Sequence, residues 1–169
     1  MKSEPIIKNL QDTLPQKGTV TWIGLRPASR QPLMSVDQVS ASQKDALEGD
    51  RFNGQFSKKR QVTLIQAEHI DAVSSILGKK VDPGLLRRNI VVSGINLLAL
   101  KDKTFNIGTA VLKYTGLCHP CSRMEQNLGP GGWNTMRGHG GITAQVVTDG
   151  VISVGSDVTA TDARSSSTA

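Results

Sequence analysis

The spacing of apolar residues constrains this chain more than any other feature. Short β-branched runs of strand length follow one another, each closed by glycine or proline, and one stretch alone has helical period. "GTVTWIGLRP" predicts a strand closed at Pro27, and "RQVTLIQ" (60–66) a second. In "AEHIDAVSSILGKK", Ile70, Val73, Ile76 and Leu77 recur at helical spacing, and Gly78 stands where a helix would stop. A Pro-Gly turn and a basic segment then lead to a strand at Asn89–Val92. "TFNIGTAVLKYTG" reads as two strands broken at Gly108. "GITAQVVTDGVISVGSDV" reads as a hairpin turning at Asp149-Gly150, a favoured two-residue turn. The stretch 28–50 has no clean period and reads mostly as loop. Seventeen glycines and seven prolines supply the turns. No alternation of strand and helix and no internal repeat appears, so the expectation is a β-rich, closed or nearly closed barrel with few helices.

At 169 residues, one domain is the simplest division. We expect a flexible N-terminal segment over 1–17, the domain over 18–160 and a disordered tail over 161–169, because both ends are polar and aperiodic. No run reaches the roughly 18 apolar residues of a membrane span, and the N-terminus lacks the apolar core of a signal peptide. A net charge of +6 points toward anionic partners, with basic clusters at 58–60 and 87–88. Neither cluster is interleaved with stacking aromatics, which argues against nucleic acid. Two cysteines are too few for a secreted disulfide scaffold, so a reducing cytoplasm is the expected compartment.

Both thiols lie in "TGLCHPCSRME", three positions apart. Such a pair suits a redox couple, half of a zinc site, or one working thiolate with a neighbour. A thioredoxin-type exchanger needs a long helix after the pair, and the glycine-bounded "SRMEQNLGPGG" is too short for one. Zinc needs four ligands; His119 or His139 could add to Cys118 and Cys121, but no second pair at finger spacing exists. A reactive thiolate would profit from cations: on a strand, His119, Cys121 and Arg123 would share one face. A buried, inert cysteine pair is the remaining alternative.

The ordered segments "EGDRFNG" (48–54), "KRQVTLIQAE" (59–68), "DPGLLRRNIVVSGINLLAL" (82–100), "FNIGTAVLKYTGLCHPCSRME" (105–125), "RGHGGITAQVV" (137–147) and "GVISVGSDV" (150–158) resemble the MOSC domain, named for the C-terminal domain of molybdenum cofactor sulfurase. The likeness is greatest to small standalone bacterial members and spans about residues 18–160. It implies a β-barrel with a few peripheral helices and a functional cysteine at the position of Cys121, with Cys118 second in rank. It further implies a molybdenum cofactor (molybdopterin) with Cys121 as metal ligand, and reduction of N-hydroxylated compounds. The alternative it implies is a sulfur carrier that takes persulfide sulfur from a cysteine desulfurase. Pyridoxal phosphate is attached to the family by association; no lysine here sits in a Schiff-base setting, so it is read as the desulfurase's cofactor.

Molybdenum binds soft thiolate, and the pterin's phosphate and amides call for guanidinium forks and backbone N–H groups. The residues offered for this are Arg60, Arg87, Arg88, Asn89, Cys118, Arg123, His139 and Gly141, with Gly138 and Gly140 allowing close backbone approach. His119 or His139 would supply protons. The family's "GDRH"-like element reads "GDRF", placing Phe52 where a histidine could assist. No nucleotide-binding glycine turn or iron–sulfur cysteine set is present, so electrons would come from a partner electron-transfer protein to a small-molecule substrate. Small barrels with exposed strand edges often pair, so a homodimer is compatible with this reading.

Overall fold

The computed structural model describes residues 4–52 and 57–161. In chain order the elements are α1 (Glu4–Asp12), β1 (Gly18–Leu25), β2 (Met34–Ser35), β3 (Gln38–Ser42), β4 (Ala46–Leu47), β5 (Val62–Gln66), α2 (Ala67–Leu77), β6 (Ile90–Ser93), β7 (Thr104–Ile107), β8 (Ala110–Leu117), α3 (Ser122–Leu128), α4 (Gly132–Met136), β9 (Ile142–Thr148), β10 (Gly150–Ser153) and β11 (Asp157–Ala160). Short 3-10 turns occupy Lys58–Arg60, Pro83–Leu86 and Leu97–Leu100.

Seven strands close a ring in the order β1-β11-β7-β8-β9-β5-β6 and back to β1. All pairings in the ring are antiparallel except β5–β6, the two strands joined through α2. A parallel neighbour requires a crossover, and α2 is that crossover. The expected β-rich barrel with few helices is the observed architecture.

Consecutive side chains of a strand point to opposite faces, and here both faces of the β5–β6 pair are covered. Val62 and Leu64 of β5, with Ile90 and Val92 of β6, fill the barrel interior alongside Ile23, Phe105, Ile107, Leu112 and Ile142. Ile65 and Val91, one residue out of phase, pack outside the barrel against Ile70, Val73, Met124, Leu128 and Met136 of the helices. Every residue of β5 is therefore buried. Two small cores share one wall, and that wall carries the segments on which the site is built.

Several expectations are corrected. Asp149-Gly150 is not a hairpin turn: β10 pairs with β3, from Gly150↔Ala41 to Ser153↔Gln38, in a separate three-stranded sheet with β4. The Asp149 carboxylate accepts from the Gln43 backbone N–H at 2.8 Å, so it ties down the end of β3. The stretch 28–50 is also not mostly loop, since it supplies β2, β3 and β4. In the N-terminal segment, Glu4–Asp12 form α1; Ile6, Ile7 and Leu10 are exposed, and Asp12 pairs with Lys103 at 2.9 Å. The expected tail lies outside the described residues beyond Thr161. The helix over 67–77 stands as read, and Gly78 caps it in the left-handed region at φ 71°. Of its four apolar positions, Ile70 and Val73 are buried and Ile76 is exposed. Gly108 sits at φ 58° in the tight turn between β7 and β8.

A cysteine loop between two cavities

The cysteine pair lies where β8 leaves the barrel. The strand ends at Leu117, and Cys118 is anchored by its N–H to the Gly141 carbonyl at 2.9 Å. The chain then crosses His119 and Pro120 to Cys121, which stands in extended conformation as the N-cap of α3. Cys118 is buried and Cys121 exposed. The strand expected to bring His119, Cys121 and Arg123 onto one face is absent, because α3 begins at Ser122. The outcome is a division. His119 and Pro120 line one cavity, Ser122 and Arg123 line another, and Cys121 stands between them in the chain.

The second cavity, of about 410 Å³, is polar and basic, lined by Arg30, Arg87, Ser122, Arg123, Gln126 and Asn127. No carboxylate is among these residues. Arg30 and Arg87 are two of the four non-glycine residues with positive φ among the described residues, at 62° and 58°. A non-glycine residue in this region costs about 1 kcal/mol or more, so two such residues facing one cavity mark a site at which strain is retained. The Arg87 guanidinium donates from Nη1 to the Gln31 carbonyl at 2.9 Å, while its buried Nη2 has no partner among the described residues. Burial, followed by Arg123, Arg26 and Arg51, lowers the Arg87 pKa below the ordinary guanidinium value, and Asp50 opposes the shift. A cluster of like charges with an orphaned buried donor is a place that an anion would stabilise.

The first cavity, of about 120 Å³, is apolar. Leu97, Leu98, Leu117 and Ile142 form its walls, together with Cys118, His119, Pro120 and His69. The His69 and His139 rings meet edge to face with centroids 5.2 Å apart. His69 and His119 thus share this cavity with the buried cysteine, and His139 adjoins it through His69. The His139 Nδ1–H donates to the Thr135 carbonyl at 2.9 Å, which fixes its tautomer. Burial lowers the His69 pKa, as does His139, against a smaller opposing effect of Glu68.

The other residues singled out from the sequence serve mainly as framework. Arg88 is 6 % exposed and spends its guanidinium on three backbone carbonyls: Nε on Gly140 at 2.8 Å, Nη1 on Leu86 at 3.0 Å and Nη2 on Cys118 at 3.2 Å. It stitches the cysteine loop to the glycine segment before β9. Burial lowers its pKa, with Cys118 and Cys121 acting in the opposite direction. Asn89 is fully buried with all four hydrogen-bond positions filled. Its Oδ1 accepts from Thr63 N and Oγ1, and its Nδ2 donates to Gly24 O and Asp50 Oδ1. It has no group left for a ring edge. Gly140 and Gly141 bring backbone to backbone rather than to a ligand, since a Cβ would stand 2.0 Å from the Cys118 oxygen and 1.9 Å from the Leu64 oxygen respectively. Gly138, at φ 78°, faces open space. Arg60 is exposed, and its Nη2 approaches the Cys118 Sγ to 4.0 Å.

Sequence reasoning missed Arg30, Ser122, Gln126 and Asn127 on the basic side and His69 on the apolar side. It also missed Arg26 and Asp50, whose ion pair at 2.8 Å has a carboxylate with no exposed surface. Asp50 belongs to the resembling segment at 48–54, whose last two residues lie outside the described ones; Phe52 is half-buried. The loop itself is held from α4: the Trp133 Nε1–H donates to the Pro120 carbonyl at 3.1 Å. The Glu125 carboxylate accepts from the N–H groups of Gly131 and Trp133, which fixes where Trp133 starts and lowers the Glu125 pKa. Among the described residues, no three His, Cys, Asp or Glu side chains form a metal-binding group.

Comparison with known proteins places this geometry. A family model described as "MOSC domain" matches residues 37–159. No curated protein sequence matches the chain. Among solved structures, the YuaD protein of Bacillus subtilis superposes with a TM-score of 0.73 at 17% identity, covering 86% of this chain and 97% of that one. YiiM of Geobacillus stearothermophilus gives 0.68 at 16% identity over 85% of this chain and 75% of that one. YiiM of Escherichia coli gives 0.65 at 16% identity over 85% and 69%.

Proposed function

Given that the chain belongs to the MOSC domain family, which is associated with molybdenum cofactor binding, we propose that it holds a molybdenum cofactor through Cys121 and the basic cavity and reduces N-hydroxylated compounds. The observation that carries this reading is the Arg30–Arg87–Arg123 cavity beginning one residue beyond an exposed thiol, with the buried Nη2 of Arg87 unpartnered among the described residues. A phosphate-bearing group with a soft metal fits both halves of that arrangement.

In this reading the Arg87, Arg123 and Arg30 guanidinium groups receive the cofactor's phosphate, and the polar side chains of Gln126 and Asn127 offer donors and acceptors beside it. The Cys121 thiolate is the protein's ligand to the metal. The cofactor, when bound, supplies two-electron redox chemistry. Arg88 and Trp133 position the cysteine loop, one through the Cys118 carbonyl and the other through the Pro120 carbonyl. His119, exposed two residues before Cys121, makes no hydrogen bond among the described residues and is placed to supply protons. Electrons come from a partner protein.

The exposure of Cys121 favours one second reading, a carrier that accepts persulfide sulfur from a pyridoxal-phosphate-dependent desulfurase and hands it to a metal centre. Expression in cells that make the cofactor, followed by molybdenum and pterin analysis, separates the two. About one metal per chain, lost in Cys121→Ser and sharply reduced in Arg87→Ala, supports the cofactor reading. Cyanide-labile sulfur on Cys121 without metal supports the carrier. Neither signal would overturn both.

A further inference from the structure

We propose that the apolar cavity on the Cys118 side binds the uncharged, single-ring portion of a small organic molecule, with the ring's polar edge against His69. That this molecule is the substrate rests on the reductase reading above; that the cavity binds such a ring does not.

The size and lining carry the argument. A cavity of about 120 Å³ is too small for a nucleotide. A leucine- and isoleucine-lined cavity of roughly 150 Å³ takes a benzene ring. Here Leu97, Leu98, Leu117 and Ile142 provide that kind of wall. Leu98 and Leu117 are both 46 % exposed, so apolar surface stands open to water at the cavity instead of being covered by the protein. A few polar groups among such walls are what orient a ligand in small-molecule sites.

His69 is the polar group best placed to do so. It lines the cavity, and among the described residues its ring nitrogens make no hydrogen bond. The adjoining His139 is committed to Thr135. Gln66, also in the lining, accepts the Leu97 N–H on its Oε1 at 2.9 Å, which fixes the 3-10 turn that presents Leu97 and Leu98 and holds the amide in place, leaving its Nε2 as a second donor beside His69. The imidazoles are not a metal site, since no ligand group of three exists among the described residues.

The charge of the ligand follows from the surroundings. Arg88 lies buried with no carboxylate in ion-pair range among the described residues, donating to the Cys118 carbonyl. Arg60 stands 4.0 Å from the Cys118 sulfur. A cation brought to this wall would meet the Arg88 charge through weakly screening protein, with the solvent-screened Arg60 adding to it.

The test is a titration of the metal-free protein with benzamide, followed through the imidazole proton resonances, of which the chain has only three sets. A ligand of nine heavy atoms in such a site is expected to bind with Kd of about a millimolar. The expected result is saturable movement of the His69 and His119 resonances, abolished in Leu98→Trp and in Leu117→Phe, both of which enlarge exposed wall residues. Benzylammonium is expected to bind at least about tenfold more weakly. Linear, unsaturable shifts would overturn the assignment. So would saturable shifts that survive both substitutions, or equal binding of the cation. Because no metal is needed, a cavity that binds benzamide in a protein that never loads molybdenum would sink the reductase reading and leave this one standing. The converse result would sink this one alone.

Discussion

Replacing Arg88 with methionine tests the framework on which both cavities depend. The guanidinium donates to three carbonyls, those of Leu86, Cys118 and Gly140, from a position only 6 % exposed. A hydrogen bond from a charged donor contributes about 1.5–3 kcal/mol, so the gross loss is roughly 4–9 kcal/mol. Against this, methionine removes a buried charge that lacks a counterion, and relief of its desolvation returns several kcal/mol. The net expectation is a loss of about 2–4 kcal/mol, read as a lower urea midpoint with an unchanged slope. Arg88→Lys keeps the charge but cannot form the three-pronged fork, and is expected to be no more stable than the methionine variant. A local signature accompanies the global one. Cys118 is 4 % exposed, and its alkylation under native conditions is expected to accelerate more than that of Cys121 once the clamp on its carbonyl is gone. An Arg88→Met protein within about 0.5 kcal/mol of the parent, with Cys118 still protected, would refute the framework assignment. If such a stable variant also lost molybdenum, Arg88 would be a cofactor residue after all.

Three further outcomes are expected. Asp50→Ala leaves the partly buried Arg26 guanidinium without its carboxylate and the Asn89 amide with one of its two acceptors, and should cost about 3–5 kcal/mol in chemical denaturation. Gly141→Ala combines a φ of 86° with a Cβ 1.9 Å from the Leu64 oxygen, so it should displace the start of β9 and destabilise the fold by more than the roughly 1 kcal/mol of backbone strain alone, as a thermal melt would show. The folded-state pKa of His69 lies below the ordinary 6.5, so the unfolded chain binds the extra proton first. Its contribution to stability is therefore complete above 6.5 and declines as the pH falls through the window beneath it; His69→Gln should flatten the stability profile between about pH 5 and 7.

The sequence revealed most where local rules and global packing agree. The helix at 67–77 shows its period and its glycine stop, and the β7–β8 turn shows its glycine. The run at 62–66 is apolar enough to be a strand but does not reveal that Leu64 and Ile65 belong to different cores. Asp149-Gly150 misled because a turn-prone dipeptide also fits a strand crossing between sheets; Gly150 is needed there because a Cβ would come within 2.4 Å of the Thr109 and Ala110 backbone. The sheet at 38–42 was hidden by weak side chains, although Val39 and Ala41 do alternate with polar neighbours.

At the site, resemblance directed attention to the cysteine loop and to Arg87 and Arg123, which line or border it in the structure. It could not distinguish Arg88 and Asn89 from them. What fixes their roles is the set of partners brought from 24, 50, 63, 118 and 140, none of which adjacency in the chain can supply. Arg30 carried no signal at all, lying in an aperiodic stretch. His69 stands within the helical run at 67–77, whose period marks the core-facing residues and says nothing of which others border a cavity.

Ring closure joins the first barrel strand to the last, with Thr19 opposite Asp157. A nascent chain leaving the ribosome exposes β1 long before its final neighbour has been synthesised, and the sheet must wait with a raw margin on each side. Until Asp157–Ala160 emerges, β1 and β7 are available to any other extended segment nearby. Loss of that one short strand would thus reach far beyond its four residues, turning a sealed cylinder into an open template for self-association.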